Sequence, residues 1–299
     1  MYNGIVIINK EQGFTSFDVV AKLRGVFGQK KIGHTGTLDP DATGVLPVCL
    51  GNATKVCDML TDSDKEYRAV LLLGIRTDTQ DITGQILEEK QVTAGEKEVK
   101  EAIRSFTGTQ LQIPPMYSAL KVNGQKLCDL ARAGKTVERK PREIRVYEAE
   151  ILRMDLPRVE IRFCCSKGTY IRTLCNDIGE RLGCGGCMES LVRTSAAGFG
   201  IEEAVKLEVL QRAKEEGRLE AYVKSTDTVF LHLPKAVVDR KYDVILNNGN
   251  RLKREFFTES DFRTEPERIR VYGSDGKFRA VYRYEEAEKG FRPVKMFLE

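Results

Sequence analysis

One carboxylate stands out in the sequence because its surroundings fit no regular element. Asp39 lies in GHTGTLDPDATGVLP, residues 33–47, where the apolar residues neither recur at helical spacing nor alternate as in a half-buried strand. Pro40 disfavours a helical conformation of Asp39, because the proline ring clashes with a helical residue before it. The segment therefore predicts a rigid loop that presents a carboxylate for acid–base or nucleophilic chemistry. The alternative is a tight turn in which Asp39 bonds its own backbone.

Other common catalytic centres are missing from the sequence. It contains neither the phosphate-binding pattern G-x-x-x-x-G-K-[ST] nor the dinucleotide-binding pattern G-x-G-x-x-G. The only histidines are His34 and His232, and neither has the surroundings of a nucleophile's partner. Cys184 and Cys187 have metal-type spacing, but a tetrahedral zinc site needs two more ligands. Cys164, Cys165 or Cys175 could complete such a site, yet the usual second pair with metal-type spacing is absent, so reduced thiols are favoured. Carboxylate chemistry without a cofactor or a metal remains.

Asp39 and Asp41 form a second candidate arrangement. In an extended segment their Cα atoms would lie roughly 6.5 Å apart on the same side of the chain. That separation is compatible with the paired carboxylates of a glycosidase, although such pairs normally come from separate elements. A loop hydrogen bond is the simpler interpretation of Asp41.

Positive charge is concentrated in one segment. Residues 117–145 contain eight Lys or Arg and three Asp or Glu, whereas the whole chain of 299 residues has a net charge of only +4. A local excess of this kind is suited to a phosphate backbone. A solvated helix and loop would explain the same composition.

Five segments, taken in order, resemble the TruB family, the bacterial tRNA pseudouridine-55 synthases. The resemblance covers roughly residues 3–200, and the C-terminal part of the chain resembles the PUA-type RNA-binding domain that often follows. The matching segments are IINKEQGFTSFDVV (7–20), GHTGTLDPDATGVLPVCLGNATK (33–55), SDKEYRAVLLLGIRTDTQDITG (63–84), CSKGTYIRTLCNDIGERLG (165–183) and SLVRTSAAGF (190–199).

The resemblance implies a reaction and its catalytic residues. The family converts a uridine of the tRNA T-loop to pseudouridine: the N1–C1′ bond breaks, the uracil turns over and C5 joins C1′, with no cofactor. Asp39 matches the catalytic aspartate, and Arg172 matches the arginine that pairs with it and would hold its pKa down. Tyr67 matches the tyrosine that stacks on the target base, and Tyr170 matches a second tyrosine of the pocket.

The resemblance also implies a set of RNA-binding residues. His34 matches the histidine that the family inserts into the T-loop, and Leu191 matches an apolar wall beneath the base. Lys10, in the first matching segment, is expected to bind RNA as well. The basic segment 117–145 falls where the family carries an insertion that closes over RNA. Its candidate phosphate contacts are Lys121, Lys126, Arg132, Lys135 and Arg139.

The elements that must position these residues follow from apolar patterning. A helix is predicted over residues 17–27, capped by Ser16, and another over residues 168–183. The segment at residues 83–89 is predicted to form a hairpin with a central strand. The predicted strands are 4–10, 66–74, 142–155 and 158–166.

The expected fold class is α+β, in two domains. Residues 1–230 would form a catalytic domain on a mixed, mainly antiparallel sheet with flanking helices. Residues 231–299 would form a small all-β, PUA-like domain, because Asn248-Gly249 and Asp275-Gly276 are strong hairpin signals.

Composition suggests the setting in which the protein acts. Hydrophobic residues make up 41% of the chain, no apolar run approaches the ~18 residues of a membrane span, and no signal peptide is recognisable. We therefore expect a cytoplasmic protein with no membrane partner, and a monomer with no obligate protein partner. The resemblance implies tRNA as the partner, with the T-loop in the active site and the acceptor end on the C-terminal domain.

Two other classes of function remain open at this point. One is an RNA-binding protein that helps tRNA to fold without catalysis, and the other is a nucleoside or glycoside hydrolase that uses Asp39 and Asp41. The joint presence of Asp39, Arg172, Tyr67 and Tyr170 argues against binding alone, because binding has little need of a buried carboxylate.

Overall fold

The fold is organised around a sheet that crosses the N-terminal three quarters of the chain. The computed structural model describes residues 1–298. Its strands are β1 (Gly4–Lys10), β2 (Ile32–His34), β3 (Thr43–Leu50), β4 (Lys65–Leu73), β5 (Ile75–Thr77), β6 (Ile86–Glu89), β7 (Gly108–Gln112), β8 (Lys121–Val122), β9 (Gln125–Lys126), β10 (Arg142–Asp155), β11 (Arg158–Cys165), β12 (Gly186–Ala196), β13 (Phe199–Gly200), β14 (Lys235–Val238), β15 (Phe257–Ser260), β16 (Arg268–Tyr272), β17 (Phe278–Glu285) and β18 (Gly290–Met296). Its α-helices are α1 (Ser16–Phe27), α2 (Cys57–Thr61), α3 (Glu96–Arg104), α4 (Leu127–Arg132), α5 (Ile171–Arg181), α6 (Leu207–Glu215) and α7 (Asp243–Asn247).

The strand order of the large sheet is β1-β3-β12-β4-β11-β10-β7, with β2 paired to β3 and β13 paired to β12. Within this sheet, the β3–β12 pair is parallel and the other pairs are antiparallel. Helices α1 and α6 pack against apolar residues of β1 and β3, and helices α3 and α5 pack against those of β4, β10 and β11. The predicted α+β class with a mixed, mainly antiparallel sheet is confirmed.

Helix α1 begins one residue earlier than its predicted cap implied. Thr15 is the N-cap, and its side chain accepts a hydrogen bond from the backbone N–H of Asp18. Ser16 cannot serve as the cap because its hydroxyl faces the Asp39 loop, where it accepts a hydrogen bond from the N–H of Leu38 at 2.9 Å. Gly28 ends the helix in a left-handed conformation, as predicted.

Two predicted hairpins are wrong. Strand β4 is flanked on both sides by β12 and β11, so it has no free edge for residues 83–89. The chain instead turns at Gly74, and β6 pairs with the short β5 in a separate ribbon. Asn248-Gly249 ends helix α7, where the N–H of Gly249 bonds to Leu246, whereas Asp275-Gly276 does join the antiparallel strands β16 and β17.

The C-terminal strands form a second sheet, in the order β15-β14-β16-β17-β18. This sheet shares an apolar cluster with the large sheet, in which Val281 and Phe297 pack with Ile5 and Val45. The side-chain amide of Asn52 also donates to the carbonyl of Phe297 at 2.8 Å. The two sheets are therefore held together by packed side chains, and the domain boundary at residues 230 and 231 stays a prediction.

Within residues 1–298, none of the helices has both the length and the apolar character that crossing a bilayer requires.

Close packing of α5 on β12 supports the site and predicts a stability effect. A Cβ added to Gly179 would overlap the backbone of Gly185 and Gly186. We expect Gly179→Ala to lower the free energy of unfolding by about 1–3 kcal/mol, as overpacking does. Gly25→Ala is the matched control, because Gly25 lies inside α1 with open space around it, and there the change should stabilise by about 0.5–1 kcal/mol. Urea unfolding of both variants checks the contrast, and equal effects would contradict it.

Candidate active site

A cavity of about 600 Å³ opens between the Asp39 loop, the start of α5 and the beginning of the basic segment. All four residues predicted to be catalytic line it, although they are up to 133 positions apart in the chain, from Asp39 to Arg172. Leu191 lines it as well. Asp41 is exposed and is not part of the lining, so the cavity does not hold the carboxylate pair that the hydrolase hypothesis requires.

Asp39 and Arg172 form an ion pair at the wall of the cavity. The Nε of Arg172 lies 3.1 Å from Oδ2 of Asp39. The arginine side chain is only 6% exposed, whereas the aspartate side chain is 41% exposed. One partner is therefore fixed in the protein, while the carboxylate remains accessible to a molecule in the cavity.

Arg172 is held by further contacts that orient its guanidinium. Its Nη1 lies 3.2 Å from Oδ2 of Asp81 and donates to the carbonyl of Thr79, and its Nη2 donates to the carbonyl of Tyr117 at 2.8 Å. Asp81 is not among the site residues predicted from the sequence. The one signal for Asp81 in the sequence was its position in the matching segment at residues 63–84. Its contact with the buried Arg172 depends on the fold.

The electrostatics of Asp39 differ from the expectation. Burial in the cleft raises the pKa of its carboxyl, and the neighbouring Arg172 opposes this shift without overcoming it. The prediction that Arg172 holds the pKa of Asp39 down is thus correct in the direction of the arginine's effect and wrong in the net result. The raised pKa means that ionising Asp39 costs more free energy in the folded protein than in the unfolded chain.

This cost gives a pH-dependent prediction for stability. Because the pKa of Asp39 is higher in the folded than in the unfolded state, its ionisation destabilises the fold as pH rises through the folded pKa, and the effect is complete above it. Asp39→Asn should therefore melt at a higher temperature than the native protein at pH 7, and the difference should shrink as the pH falls. Thermal melts of both proteins from pH 8 to about pH 4, near the pKa of an aspartate in the unfolded chain, check this, and a variant that melts lower at pH 7 would contradict it.

Two buried cationic side chains, Arg193 and Lys10, hold the Asp39 loop from the protein interior. Arg193 is fully buried, and its guanidinium donates to the carbonyls of Val45 at 2.7 Å and Gly36 at 3.3 Å. Lys10 is also fully buried, and its ammonium donates to the carbonyls of Phe14 at 2.7 Å and of Glu11 and Pro40 at 3.0 Å. The contacts with Gly36 and Pro40 satisfy backbone oxygens of the Asp39 loop, and those with Glu11 and Phe14 tie this loop to the connection between β1 and α1.

This placement gives no support to the expected role of Lys10 in RNA binding, which stays a prediction. Its ammonium points into the protein, and burial lowers its pKa to about 8. Arg193 was missed, although it belongs to the last of the matching segments, because charge alone does not distinguish a buried arginine from an exposed one.

The aromatic and apolar side chains of the cavity come from three elements. Tyr67, on β4, is 7% exposed and pairs across the sheet with Arg193 on one side and Phe163 on the other. Burial raises the pKa of the Tyr67 phenol, with Arg193 opposing, so the phenol is protonated at neutral pH. Tyr170 precedes α5, where its backbone N–H and carbonyl both bond the side chain of Gln112. Together with Leu191 on β12 they give the cavity a largely apolar floor and walls.

His34 lies outside the lining of the cavity. It ends strand β2, and its ring meets Phe17 edge to face, with the ring centres 5.4 Å apart. Burial lowers the pKa of His34, so the imidazole is neutral at pH 7. The histidine is thus placed beside the cavity and is not part of the Asp39–Arg172 network.

The basic segment begins at the cavity and extends into solvent. Ser118, Ala119 and Leu120 line the cavity, and the rest of the segment contains the ribbon β8–β9 and helix α4. Its exposed candidate contacts are Lys121, Lys126, Arg132 and Lys135. Arg139 differs, because it is partly buried and donates to the carbonyl of Pro114.

Cys184 and Cys187 lie in the packed interior of the fold as free thiols. Cys184 and Cys187 are buried near the junction of α5 and β12, and burial raises the pKa of Cys187 to about 11. Among residues 1–298, no group of three or more His, Cys, Asp or Glu side chains is arranged to hold a metal ion.

Comparison with known proteins identifies the family. A family model described as TruB family pseudouridylate synthase (N terminal domain) matches residues 24–171, and one described as tRNA pseudouridylate synthase B C-terminal domain matches residues 172–230. The chain belongs to the TruB family of pseudouridylate synthases. The prediction of an isomerising enzyme is confirmed by this membership.

Individual relatives of this TruB-family enzyme span its whole length. The tRNA pseudouridine synthase B of Lachnoclostridium phytofermentans is 52% identical, covering 99% of this chain and 100% of the relative. That of Alkaliphilus oremlandii is 45% identical over 90% of this chain and 89% of the relative. A chain in the crystal structure of a Cbf5-Nop10-Gar1 complex is similar in fold, with a TM-score of 0.73, 25% identity, and coverage of 99% of this chain and 85% of that chain.

Proposed function

We propose that this enzyme, a pseudouridine synthase that acts on tRNA, isomerises one uridine of the T-loop, at position 55. The observation that carries the proposal is the open face of Asp39. Its carboxylate is paired with a buried arginine on one side and faces a nucleotide-sized cavity on the other. This arrangement suits a reaction at the sugar of a nucleotide whose base has left the RNA stack.

The isomerisation needs no external electrons or groups. The bond between N1 and C1′ breaks, the uracil rotates, and a bond forms between C5 and C1′. The proton on C5 is then lost, and N1 carries a proton in the product. Asp39 and the cavity walls therefore have to supply charge, position and proton transfer only.

Two routes at Asp39 are consistent with this balance. In the first, its carboxylate attacks C1′ and forms a covalent bond to the sugar as uracil leaves, and C5 of the rotated uracil later displaces the carboxylate from C1′. In the second, the carboxylate removes a proton from the sugar as uracil leaves, which gives a glycal-like intermediate, and the proton returns to the sugar when C5 bonds to C1′. Both require an ionised carboxylate, and Arg172 supports that state against the desolvation that opposes it.

The detached uracil has to turn over without escaping from the cavity. Tyr67 offers an aromatic face for stacking, an interaction worth about 1–3 kcal/mol per base. The late removal of the C5 proton, its second role in the family, would require the phenolate form, which the raised pKa of Tyr67 disfavours. Tyr170 and Leu191 close the cavity on other sides. The apolar lining permits rotation, because it holds the ring without fixing one set of hydrogen bonds.

The rest of the surface would position the tRNA. We assign His34 to the T-loop, where it fills the space left by the flipped base, and the exposed cations of residues 117–145 to the phosphates. We assign the second sheet, within residues 231–299, to a PUA-like role at the acceptor end of the tRNA.

Tritium release tests the proposal. A tRNA transcript labelled with tritium at C5 of its uracils is incubated with the enzyme in EDTA, and a second transcript has cytidine in place of uridine 55. Formation of the C5–C1′ bond should release up to one equivalent of tritium from the first transcript and none from the second. Release from both would contradict the choice of position 55, and release from neither would contradict the proposed reaction.

A further inference from the structure

Phe17 is the most exposed of the Phe and Tyr side chains in residues 1–298. It is the second residue of α1, and 72% of its surface is open to solvent. The next most exposed of these side chains, Tyr147, is 44% exposed. Single exposed apolar residues are common in proteins, so exposure needs a second observation before it indicates a function.

That observation is how firmly the fold holds Phe17 beside the active site. The hydroxyl of its neighbour Ser16 bonds the N–H of Leu38, and Leu38 lines the cavity next to Asp39. Thr15 and Asp18 cap each other across Phe17, which fixes the first turn of α1. The N–H of Gly13 also bonds the carbonyl of Pro40 at 2.9 Å. The aromatic ring therefore projects from backbone that is tied to the Asp39 loop.

Phe17 also forms a continuous aromatic surface with His34. The two rings are nearly perpendicular, at 89°, with centres 5.4 Å apart. The imidazole is neutral, because burial lowers its pKa, and it is partly covered while the phenyl ring remains open. Apart from this contact with His34, most of the Phe17 side chain is open to water.

We propose that Phe17 is an RNA contact that stacks on a base of the substrate loop next to the uridine that enters the cavity. Flipping a uridine out of a loop removes its stacking partners, and an ordered aromatic ring at the entrance replaces part of that contact. Stacking accepts any base, because every base has a π face. The inference rests on the proposed T-loop substrate, to which it adds a residue that holds the opened loop.

Fluorescence of a base analogue tests this contact directly. T-arm hairpins carry 2-aminopurine at each purine position of the loop in turn, and binding is measured to full-length protein with Asp39→Asn, so that no product forms. At one loop position, binding should quench the fluorescence by stacking. Adding Phe17→Ala should remove that quenching and weaken hairpin binding by about 5- to 150-fold, while Phe17→Trp should retain both.

Two controls separate stacking from general damage. Leu152→Ala removes an exposed apolar side chain from β10 and should change neither quenching nor affinity. Phe17→Leu keeps apolar bulk without an aromatic face and should behave as Phe17→Ala. Unchanged quenching and affinity in Phe17→Ala would overturn the inference, as would full retention by Phe17→Leu. Tritium release by the native enzyme is measured in parallel, so that failure of the T-loop proposal is recognised separately.

Discussion

Asp39→Asn should lower pseudouridine formation by at least about 10³-fold, within the range for loss of a group that transfers a proton or acts as a nucleophile. The asparagine has nearly the same shape, but it can neither attack C1′ nor accept a proton. Its side chain keeps a place beside the buried Arg172, which is held by Asp81 and by the carbonyls of Thr79 and Tyr117. Tritium release from C5-labelled tRNA under single-turnover conditions measures the rate.

The same variant should bind tRNA with an affinity within a few fold of the native enzyme, because Asp39 contributes one side chain of a large RNA surface. Filter binding of the labelled transcript provides this control. Together with the higher melting temperature expected at pH 7, it would show a protein that is more stable and less active, as expected of a desolvated catalytic carboxylate. Substantial release of tritium by Asp39→Asn would exclude Asp39 as the reacting group. Asp81, the other carboxylate paired with Arg172, would then be the next residue to test.

Arg172→Met should lower both activity and stability. Methionine fills much of the buried volume but leaves Asp81 and two backbone carbonyls without their donor. We expect the free energy of unfolding to fall by about 3 kcal/mol, the lower end for breaking a buried ion pair, because Asp39 itself remains partly in water. Loss of the cation beside Asp39 should lower the rate of tritium release by about 10²–10³-fold.

A conservative variant and a second site separate the two effects. Arg172→Lys retains the charge but lacks the planar fork that reaches Asp39, Asp81 and the carbonyls together, so it should recover stability in part and activity very little. Asp81→Asn should reduce activity while leaving the Asp39–Arg172 pair in place. In the double variant Arg172→Met/Asp81→Asn, the losses of activity should be smaller than the sum of those of the two single variants, because the two residues belong to one network. Additive losses would show that Asp81 acts independently of Arg172.

Sequence patterns were most informative where the local chain carries the signal. The Gly- and Pro-rich surroundings of Asp39 identified an ordered loop, and the apolar spacing around Arg172 identified helix α5. The strand at 142–155 and its partner at 158–165 were predicted within a residue, because alternation of buried and exposed side chains is a property of each strand alone. The family resemblance then selected the four cavity residues from the many polar residues of the chain.

Errors occurred where a distant segment competed for the same group. Ser16 would cap α1, but the backbone of Leu38 takes its hydroxyl, and Thr15 caps the helix instead. Residues 83–89 have the pattern of a hairpin strand, but β11 and β12 already occupy both edges of β4. Neither competitor lies near its target in sequence.

The chain alone was sufficient to identify the family, the loop that carries Asp39 and the mixed α+β class, because these follow from short ordered segments and from periodicity. Three-dimensional packing determined the electrostatics. It turned Lys10 and Arg193 inward to hold the Asp39 loop, brought Asp81 to Arg172, and raised the pKa of Asp39 where an ion pair alone would lower it. Burial and charge spacing depend on which surfaces meet, and residues as far apart as Gly36 and Arg193 meet only when the sheet has formed.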